Sequence, residues 1–273
     1  MSPFATITTQ RPLLLVGCGR MGGALLAGWL ERGLDPAAVR VIEPARHAVM
    51  QLPSSQVAAA ASELPSGLMP SVVALAVKPQ MMDGALSALP AFPGALILSI
   101  AAGKSLGYFR AHLGERAAVV RAMPNTPAAI GRGMTVAVAN AHVDAPSRAL
   151  AEALLSTVGK CAWIEDEALM DAVTAVSGSG PAYVFYLAEC LAAAGIAAGL
   201  PDALSRTLAI ETVAGAGALL AEPGADPQRL RQAVTSPAGT TAAALAVLMA
   251  ETGLEPLLRQ AVSAAAKRSR ELG

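Results

Sequence analysis

The chain has little charge, few aromatic residues and few cysteines, and each shortage narrows the functions open to it. Charged residues make up 15% of the 273 residues, their formal charges sum to zero, and aromatic residues make up 3%. Without basic runs or rings that stack on bases, a nucleic-acid partner is disfavoured. Cys18, Cys161 and Cys190 lie far apart without metal-ligand spacing, which is typical of the reducing cytosol. We expect a cytoplasmic protein with a small-molecule partner, no nucleic-acid partner and no metal.

Hydrophobic residues make up 54% of the chain, which raises the question of a membrane. The N-terminal stretch MSPFATITTQRP lacks the basic flank and the continuous apolar run of a secretory signal. The most apolar segment, residues 182–200, carries Glu189 near its middle. A carboxylate at the centre of a membrane span costs roughly 2.5–3.5 kcal/mol. We therefore expect no membrane span and interpret this segment as a helix buried in a protein assembly.

The sequence pattern changes near residues 163–168. From Pro12 to about Glu165, short β-branched runs alternate with helical patterns, which indicates βαβ units and a mostly parallel sheet. The candidate strands are PLLLVG, VRVIE, SVVALAVK, GALILSIA, AAVVRAMP, GMTVAVAN and CAWIE. After Glu165 the chain is rich in Ala and Leu, and its helices carry too little charge to face water along their whole length. We predict an α/β domain over residues 1–165 and an all-helical dimerisation domain over residues 166–273.

A glycine-rich turn follows the first candidate strand. VGCGRMGG places Gly17, Gly19 and Gly22 in a GxGxxG pattern between PLLL and the helical stretch ALLAGWLERG. This is the fingerprint of a Rossmann-type dinucleotide-binding domain: the first glycine makes the tight turn, the second admits the pyrophosphate, and the third lets helix and strand pack closely. Arg20 and Met21 belong to the same turn. The alternative is a glycine turn that binds no ligand.

The second candidate strand ends in an acid. Glu43 lies 21 residues after Gly22, close to the spacing of about 20 expected for a carboxylate that bonds the adenosine ribose. This favours NADH. Arg20 and Arg46 are close enough in sequence to pair with a 2′-phosphate, which leaves NADPH open. A solvated acid at a strand end is an equally simple interpretation of Glu43.

Two more candidate strands are followed by loops that could contact the cofactor. Ligands of open α/β sheets bind in the crevice beyond the carboxyl ends of the strands, and both loops follow such ends. The loop LAVKPQ carries one group of candidate residues, and RAMPNTPAA places Asn125 in a loop stiffened by two prolines. We predict that these loops contact the ribose and nicotinamide of the cofactor, although either could be a plain connection. The candidates in the first loop are Ala76, Val77, Lys78 and Pro79.

The segment TSPAGTT, residues 235–241, has no charge, ring or long apolar side chain. Its Pro, Gly and hydroxyl residues oppose a helix and favour caps and turns, so we predict a loop that enters a helix with Thr240 and Thr241 near its first turn. Free backbone N–H groups at a helix start suit a carboxylate or a phosphate. A plain N-cap is the alternative.

The sequence offers no evident acid for reducing a ketone, which requires a proton donor to the developing alkoxide. His47, His112 and His142 lie away from the predicted strand ends. AVSGSGPAYVFYLAE resembles the glycine-bearing helix of the β-hydroxyacid dehydrogenases, but Val184 stands where those enzymes carry their catalytic lysine. A protonated imine is already a cation, and its reduction requires positioning more than an acid.

Five motifs together are specific. GCGRMG, AVKPQ, RAMPNTPAAIGRGMT, AVSGSGPAYVFYLAE and TSPAGTTAAAL, in this order and spacing over nearly the whole chain, resemble pyrroline-5-carboxylate reductase. The resemblance implies reduction of 1-pyrroline-5-carboxylate to L-proline with NADPH or NADH, the last step of proline biosynthesis. It also implies a Rossmann domain followed by a helical domain that interlocks into an obligate homodimer, which some members assemble into a decamer.

The same resemblance implies roles for individual residues. The partner subunit would contribute the TSPAGTT loop, whose serine and backbone N–H groups would hold the substrate carboxylate. Thr241 would act as the catalytic residue by hydrogen-bonding the ring nitrogen, and SGSGPAY would line the substrate pocket. The substrate-binding residues implied in this way are Ser177, Gly178, Ser236, Gly239, Thr240 and Thr241. Alternatively, Ser177 and Gly178 serve only the start and close packing of a helix.

Two other functions stay open on the sequence alone. One is reduction of another cyclic imino acid, because the loop recognises features that such substrates share. The other is a dinucleotide-sensing dimer without catalysis, which the intact hydroxyl loop disfavours. The sequence leaves undecided the preference between NADH and NADPH, the assembly beyond a dimer, and inhibition by proline.

Overall fold

Eight strands form one sheet in the order β3-β2-β1-β4-β5-β6-β7-β8. The computed structural model describes residues 3–272. Every neighbouring pair is parallel except β6 and β7, so the predicted, mostly parallel sheet is confirmed. The strands are β1 Leu13–Val16, β2 Val39–Ile42, β3 Val57–Ala58, β4 Val72–Leu75, β5 Leu96–Ser99, β6 Ala118–Met123, β7 Gly133–Ala139 and β8 Gly159–Trp163.

All seven predicted strands are present, and the sequence missed one. The strand β3 is two residues long and pairs only with β2. A two-residue strand has no measurable alternation, so its position follows from the pairing rather than from a local pattern. It is nevertheless an edge strand of the sheet and pairs with the last two residues of β2. The next residue, Glu43, donates its backbone N–H to the Ala58 carbonyl at 2.9 Å.

Helices cover both faces of the sheet. The helices α1 (Arg20–Glu31) and α4 (Ala145–Leu155) pack on one face, and α2 (Met82–Ala88) and α3 (Leu106–Leu113) pack on the other. Alternate residues of one strand enter the two clusters: Leu13 and Leu15 belong to the first, and Leu14 and Val16 to the second. Both sets are buried because successive side chains of a strand point to opposite faces.

The rest of the chain is helical. It contains α5 Met170–Val173, α6 Gly180–Ala197, α7 Asp202–Leu220, α8 Pro227–Ala233, α9 Thr240–Leu248 and α10 Leu254–Leu272. Contacts divide the chain into two compact units. The sheet unit runs through Gly178 and includes the segment from Ala266 onward, and the helical unit spans Ser179–Ala265. The sequence-based division into residues 1–165 and 166–273 stays a prediction.

The helical unit exposes many apolar side chains in the single chain. Phe185 and Tyr186 on α6, Ile210 on α7 and Val247 on α9 are each more than half exposed. Stretches 167–197 and 202–220 also have the length and hydropathy of a membrane span, which is weak support for one because helices buried in an assembly share those properties. Apolar surface of this extent is typical of an interface.

The two tryptophans give a matched test of packing in the sheet unit. The buried Trp29 Nε1 donates to the Leu154 carbonyl at 3.0 Å and joins α1 to α4. Within residues 3–272, the buried Nε1 of Trp163 has no hydrogen-bond partner. Trp29→Phe should lower the free energy of unfolding by about 0.5–1.5 kcal/mol, because it removes this hydrogen bond while the Leu154 carbonyl keeps the Thr157 hydroxyl as a donor at 2.8 Å.

Trp163→Phe is the control for the loss of an indole N–H, because it removes no hydrogen bond and leaves an aromatic ring under the Arg148 guanidinium, which lies 4.2 Å from the Trp163 ring centroid. Urea unfolding of both variants at equal protomer concentration measures the difference, since the stability of an oligomer depends on concentration. An equal loss in the two variants would show that the Trp29 hydrogen bond contributes nothing measurable.

Candidate active site

The turn between β1 and α1 requires glycine at its first position. Gly17 has φ +90°, and a Cβ there would lie 2.9 Å from Val77 Cγ1 and 3.0 Å from the Ala76 carbonyl oxygen. A side chain at this position would therefore meet both backbone strain and the end of β4. The turn is thus held against the strand next to β1 in the sheet.

The other two glycines act differently at the start of α1: Gly22 allows close packing, and Gly19 leaves open space. A Cβ on Gly22 would lie 2.3 Å from the Gly17 carbonyl oxygen and 3.2 Å from Ala76 Cβ, so only glycine lets α1 approach this closely. Gly19 is the N-cap residue, has open space around its Cα and provides no side-chain cap. The first N–H groups of α1 therefore lack a partner within the helix, which suits a pyrophosphate. These residues fit a nicotinamide dinucleotide.

Arg20 and Met21 are the first two residues of α1. Arg20 is exposed, whereas Met21 is half-buried and packs against the core cluster that contains Trp29. The two neighbours differ in exposure because the Met21 side chain packs against the core and the Arg20 side chain does not. Arg20 is thus the charged side chain at the start of the helix.

Glu43 lies against the glycine turn. Its carboxylate accepts the N–H of Cys18 at 2.8 Å through Oε2 and the N–H of Ala45 at 3.0 Å through Oε1. Burial raises the pKa of the Cys18 thiol to about 11, and the negative charge of Glu43 adds to the rise. The thiol therefore stays protonated at neutral pH and is a poor nucleophile. Glu43 is therefore not simply a solvated acid at a strand end, because both of its carboxylate oxygens accept backbone N–H groups.

The loop after β4 begins at the point where the strand order reverses. β1 lies between β2 and β4, and the Ala76 N–H donates to the Val16 carbonyl at 2.8 Å. Val77 and Pro79 are half-buried, and Lys78 is exposed. Ligands of open α/β sheets bind at such a switch point.

The side chains of Asn125 and Ser177 are hydrogen-bonded to each other. From the sequence, Asn125 is predicted to bind the cofactor and Ser177 to bind the substrate. Asn125 accepts the N–H of Met134 at 2.9 Å through its side-chain oxygen and donates through Nδ2 to Ser177 Oγ at 3.3 Å. The side-chain amide is therefore held at both ends. This contact connects the loop after β6 to the segment before α6.

The segment around Ser177 has an unusual backbone. Thr174–Gly178 forms a π-helical turn, which often marks a functional position. A Cβ on Gly178 would lie 2.5 Å from Met123 Cε at the end of β6, so glycine permits this approach. The sequence pattern indicated a helix start here but gave no signal for the π turn.

A buried ion pair that the sequence did not identify supports this region. Arg121 on β6 is 7% exposed and bonds Glu167 Oε1 at 2.7 Å. The same oxygen accepts the Leu106 N–H at the start of α3 at 2.8 Å. A buried charge requires such a partner. The pair fixes the strand that leads into the Asn125 loop.

In the helical unit, TSPAGTT is a loop that enters α9, as predicted. Thr240 is the first helical residue, and the N-cap residue is Gly239, which provides no side-chain cap. The Gly239 N–H donates to the Ser236 carbonyl at 3.1 Å, whereas helix geometry leaves the N–H groups of Thr240 and Thr241 without a partner within the helix. The plain N-cap alternative therefore does not describe this helix start.

The loop is also under backbone constraint. Ala238 has φ +58°, the only positive φ of a non-glycine residue in the described chain. A Cβ on Gly239 would lie 2.4 Å from Ser236 Oγ. A residue held in the left-handed region is uncommon and often occurs in a binding loop. Over residues 3–272, no cluster of His, Cys, Asp and Glu has the arrangement of a metal site.

Family models match both parts of the chain. A model described as "NADP oxidoreductase coenzyme F420-dependent" matches residues 13–103, and one described as "Pyrroline-5-carboxylate reductase dimerisation" matches residues 167–272. Together with the glycine turn and the parallel sheet, they define a self-associating oxidoreductase with a Rossmann-type dinucleotide-binding domain and a helical dimerisation domain.

The relatives identify the family. The chain is 40% identical to the pyrroline-5-carboxylate reductase of Pseudomonas aeruginosa, over 95% of this chain and 96% of the relative, and 42% identical to that of Synechocystis, over 95% and 97%. Among solved structures, a pyrroline-5-carboxylate reductase from Coxiella burnetii has a TM-score of 0.86 at 30% identity, covering 97% of this chain and 99% of that one. A Plasmodium falciparum relative solved with NADP bound has a TM-score of 0.80 at 27% identity, covering 96% and 98%. The chain belongs to the pyrroline-5-carboxylate reductase family.

Two adjacent glycines test the dinucleotide site. Gly22→Ala should weaken binding of reduced nicotinamide dinucleotides by about tenfold or more, because the new Cβ would push α1 away from the turn. Gly23→Ala is the control, since its Cβ would meet the Cys18 carbonyl oxygen at an ordinary 3.7 Å. Nucleotide fluorescence measures the dissociation constants, and circular dichroism checks the fold. Equal binding by the two variants would contradict the assigned role of Gly22.

Proposed function

We propose that the protein reduces 1-pyrroline-5-carboxylate to L-proline with NADH or NADPH, by hydride transfer to the imine carbon. One observation carries the proposal: α9 begins with two threonines and without a side-chain cap. Such a helix start offers backbone N–H groups and hydroxyls to an anionic substrate with a polar ring atom. Family membership and the dinucleotide fingerprint support the same reaction.

The sheet unit would hold the cofactor. Gly17, Gly19 and Gly22 with the start of α1 would receive the pyrophosphate, Arg20 and Met21 would flank it, and Glu43 would bond the adenosine ribose. The nicotinamide half would lie against the loops after β4 and β6, where the contacts would come from Ala76, Val77, Lys78, Pro79 and Asn125. When bound, the reduced nicotinamide supplies the hydride.

The helical unit would hold the substrate. Ser236, Gly239 and Thr240 would surround its carboxylate, and the Thr241 hydroxyl would hydrogen-bond the ring nitrogen. Ser177 and Gly178, which belong to the unit that contains the sheet, would also contact the substrate. Because the protonated imine is already a cation, hydride addition gives a neutral amine and leaves no alkoxide to protonate. The protein would therefore act by positioning and by hydrogen bonds to charged groups.

We also propose that residues 166–273 form the dimerisation and substrate domain of an obligate homodimer, and that the homodimer assembles further into a decamer. The support is the exposed apolar surface of α6, α7 and α9. Burial of this surface in the assembly would account for its hydropathy without a membrane. The protein would then act in the cytoplasm, without a nucleic-acid or membrane partner.

An absorbance assay tests the function. Purified protein is mixed with NADH or NADPH and 1-pyrroline-5-carboxylate, and proline is identified by mass. Substrate-dependent loss of reduced-nicotinamide absorbance with an equal yield of proline is expected. Tight dinucleotide binding without oxidation would contradict the proposal, and faster oxidation with the six-membered ring imine would redirect it to another imino acid.

Thr241→Ala should lower kcat/KM by about 10- to 150-fold, because a hydrogen bond to a charged group contributes roughly 1.5–3 kcal/mol. Thr241→Ser keeps the hydroxyl and should retain most of the activity. Steady-state kinetics of both variants, with the dinucleotide affinity unchanged, separates this effect from misfolding. Activity of Thr241→Ala equal to that of the parent would show that the hydroxyl is not used.

A mixing experiment tests whether the partner subunit contributes the loop. Gly22→Ala and Thr241→Ala subunits are co-expressed with different tags, so that mixed dimers form. If the loop acts across subunits, a mixed dimer has one intact site. Random mixing then restores about a quarter of the parent activity, since each site has a one-half chance for each intact part. If the loop acts within its own subunit, the mixture shows only the residual activities of the single variants.

A further inference from the structure

The Glu43 carboxylate is fixed beside the expected position of the adenosine ribose. Its two oxygens accept the N–H groups of Cys18 and Ala45, at 2.8 and 3.0 Å. A carboxylate accepts about four hydrogen bonds, so Glu43 can still receive ribose hydroxyls. Glu43 is half-buried, so its charge is screened less than that of a free surface acid.

The residues after Glu43 offer few donors to an added phosphate. Pro44 has no backbone N–H. The N–H of Ala45 already donates to Glu43. The next potential donors are the backbone N–H groups of Arg46 and His47, at the start of a short turn, and the Arg46 guanidinium, which sequence proximity made a candidate for a 2′-phosphate.

Arg46 has another anionic partner. Its guanidinium pairs with Glu63, and Glu63 also accepts the Ala59 N–H at 2.9 Å, so the acid is anchored to the backbone next to β3. Both side chains line a cavity of about 240 Å³ whose described lining does not include Glu43. Across residues 3–272, no ion pair joins Arg46 to Glu43.

The two dinucleotides differ at the group that would meet these residues. The 2′-hydroxyl of NADH is a donor that a carboxylate accepts. A phosphate monoester such as that of NADPH carries a charge of about −1.5 to −2 at pH 7 and offers strong acceptor oxygens. Beside Glu43 it would meet a like charge, while the Arg46 guanidinium is already paired with Glu63.

We propose that Glu43 makes this protein select NADH over NADPH, and that Glu63 reinforces the choice by holding Arg46. The proposal rests on the proposed function, because it specifies the cofactor of that reaction. Arg20 does not oppose it: Arg20 begins α1, where it would meet the pyrophosphate that both dinucleotides share.

The two acids should contribute unequally. The side chains of Arg46 and Glu63 are 47% and 42% exposed, and an exposed ion pair corresponds to no more than about a fivefold change in affinity. Glu43 would meet the 2′-phosphate directly in the proposed binding mode, and it is half-buried, so we expect it to account for most of a preference of about tenfold or more.

Direct binding of NADH and NADPH to the unmodified protein tests the preference, with dissociation constants from nucleotide fluorescence at two salt concentrations. NADH should bind about tenfold or more tightly than NADPH, and the ratio should fall at the higher salt concentration because repulsion is screened. Glu43→Gln should weaken NADH binding and narrow the ratio. Glu31→Gln, which removes an exposed acid at the end of α1, is the charge-matched control and should leave both constants unchanged.

Glu63→Gln tests the second part. It should tighten NADPH binding by up to about fivefold and leave NADH binding unchanged, and Arg46→Gln in the same chain should abolish that gain. Equal or tighter binding of NADPH by the unmodified protein would overturn the proposal while the reductase function stands. Absence of binding by both dinucleotides would overturn the cofactor site and the proposed function together.

Discussion

The close approach of α1 to the turn after β1 is the constraint on which the dinucleotide site depends. A Cβ on Gly22 would come within 2.3 Å of the Gly17 carbonyl oxygen, so a single added methyl group separates helix from turn. The same turn is pressed against Ala76 at the end of β4. Because β1 and β4 lie at the reversal of strand order, this packing opens the helix start toward the crevice of the sheet. Glu43 is then fixed by the N–H of Cys18 in that turn.

The helical unit differs from the sheet unit in what it exposes. Its helices expose large apolar side chains, and the exposed start of α9 presents hydroxyls and unpaired N–H groups instead of a charged catalytic residue. A site of this kind suits a substrate that brings its own charges. In the proposed reaction, the sheet unit would orient the hydride donor, and the helical unit would orient the acceptor and associate with a second copy.

Much of this was predictable from the sequence, because the decisive signals are local. The strand patterns, the glycine fingerprint and the loop character of TSPAGTT depend on neighbouring residues, and all three agree with the structure. The two-residue β3 and the π turn at Thr174–Gly178 gave no such signal: β3 is defined by its pairing with β2, and no local pattern in the sequence marks the π turn. The Arg121–Glu167 ion pair could not be predicted either, because its two residues lie far apart in sequence and only the fold brings them together. For Glu43 the spacing indicated the position, but only the fold revealed its bonds to Cys18 and Ala45.

The central claim is direct hydride transfer from the nicotinamide to the imine carbon of 1-pyrroline-5-carboxylate. The most direct measurement uses a reduced dinucleotide that carries deuterium at both C4 positions of the nicotinamide, with mass and magnetic-resonance analysis of the product. The account predicts proline with one deuterium on the former imine carbon, in an amount equal to the dinucleotide oxidised. Proline without deuterium on that carbon, or oxidation of the dinucleotide without proline, would contradict it.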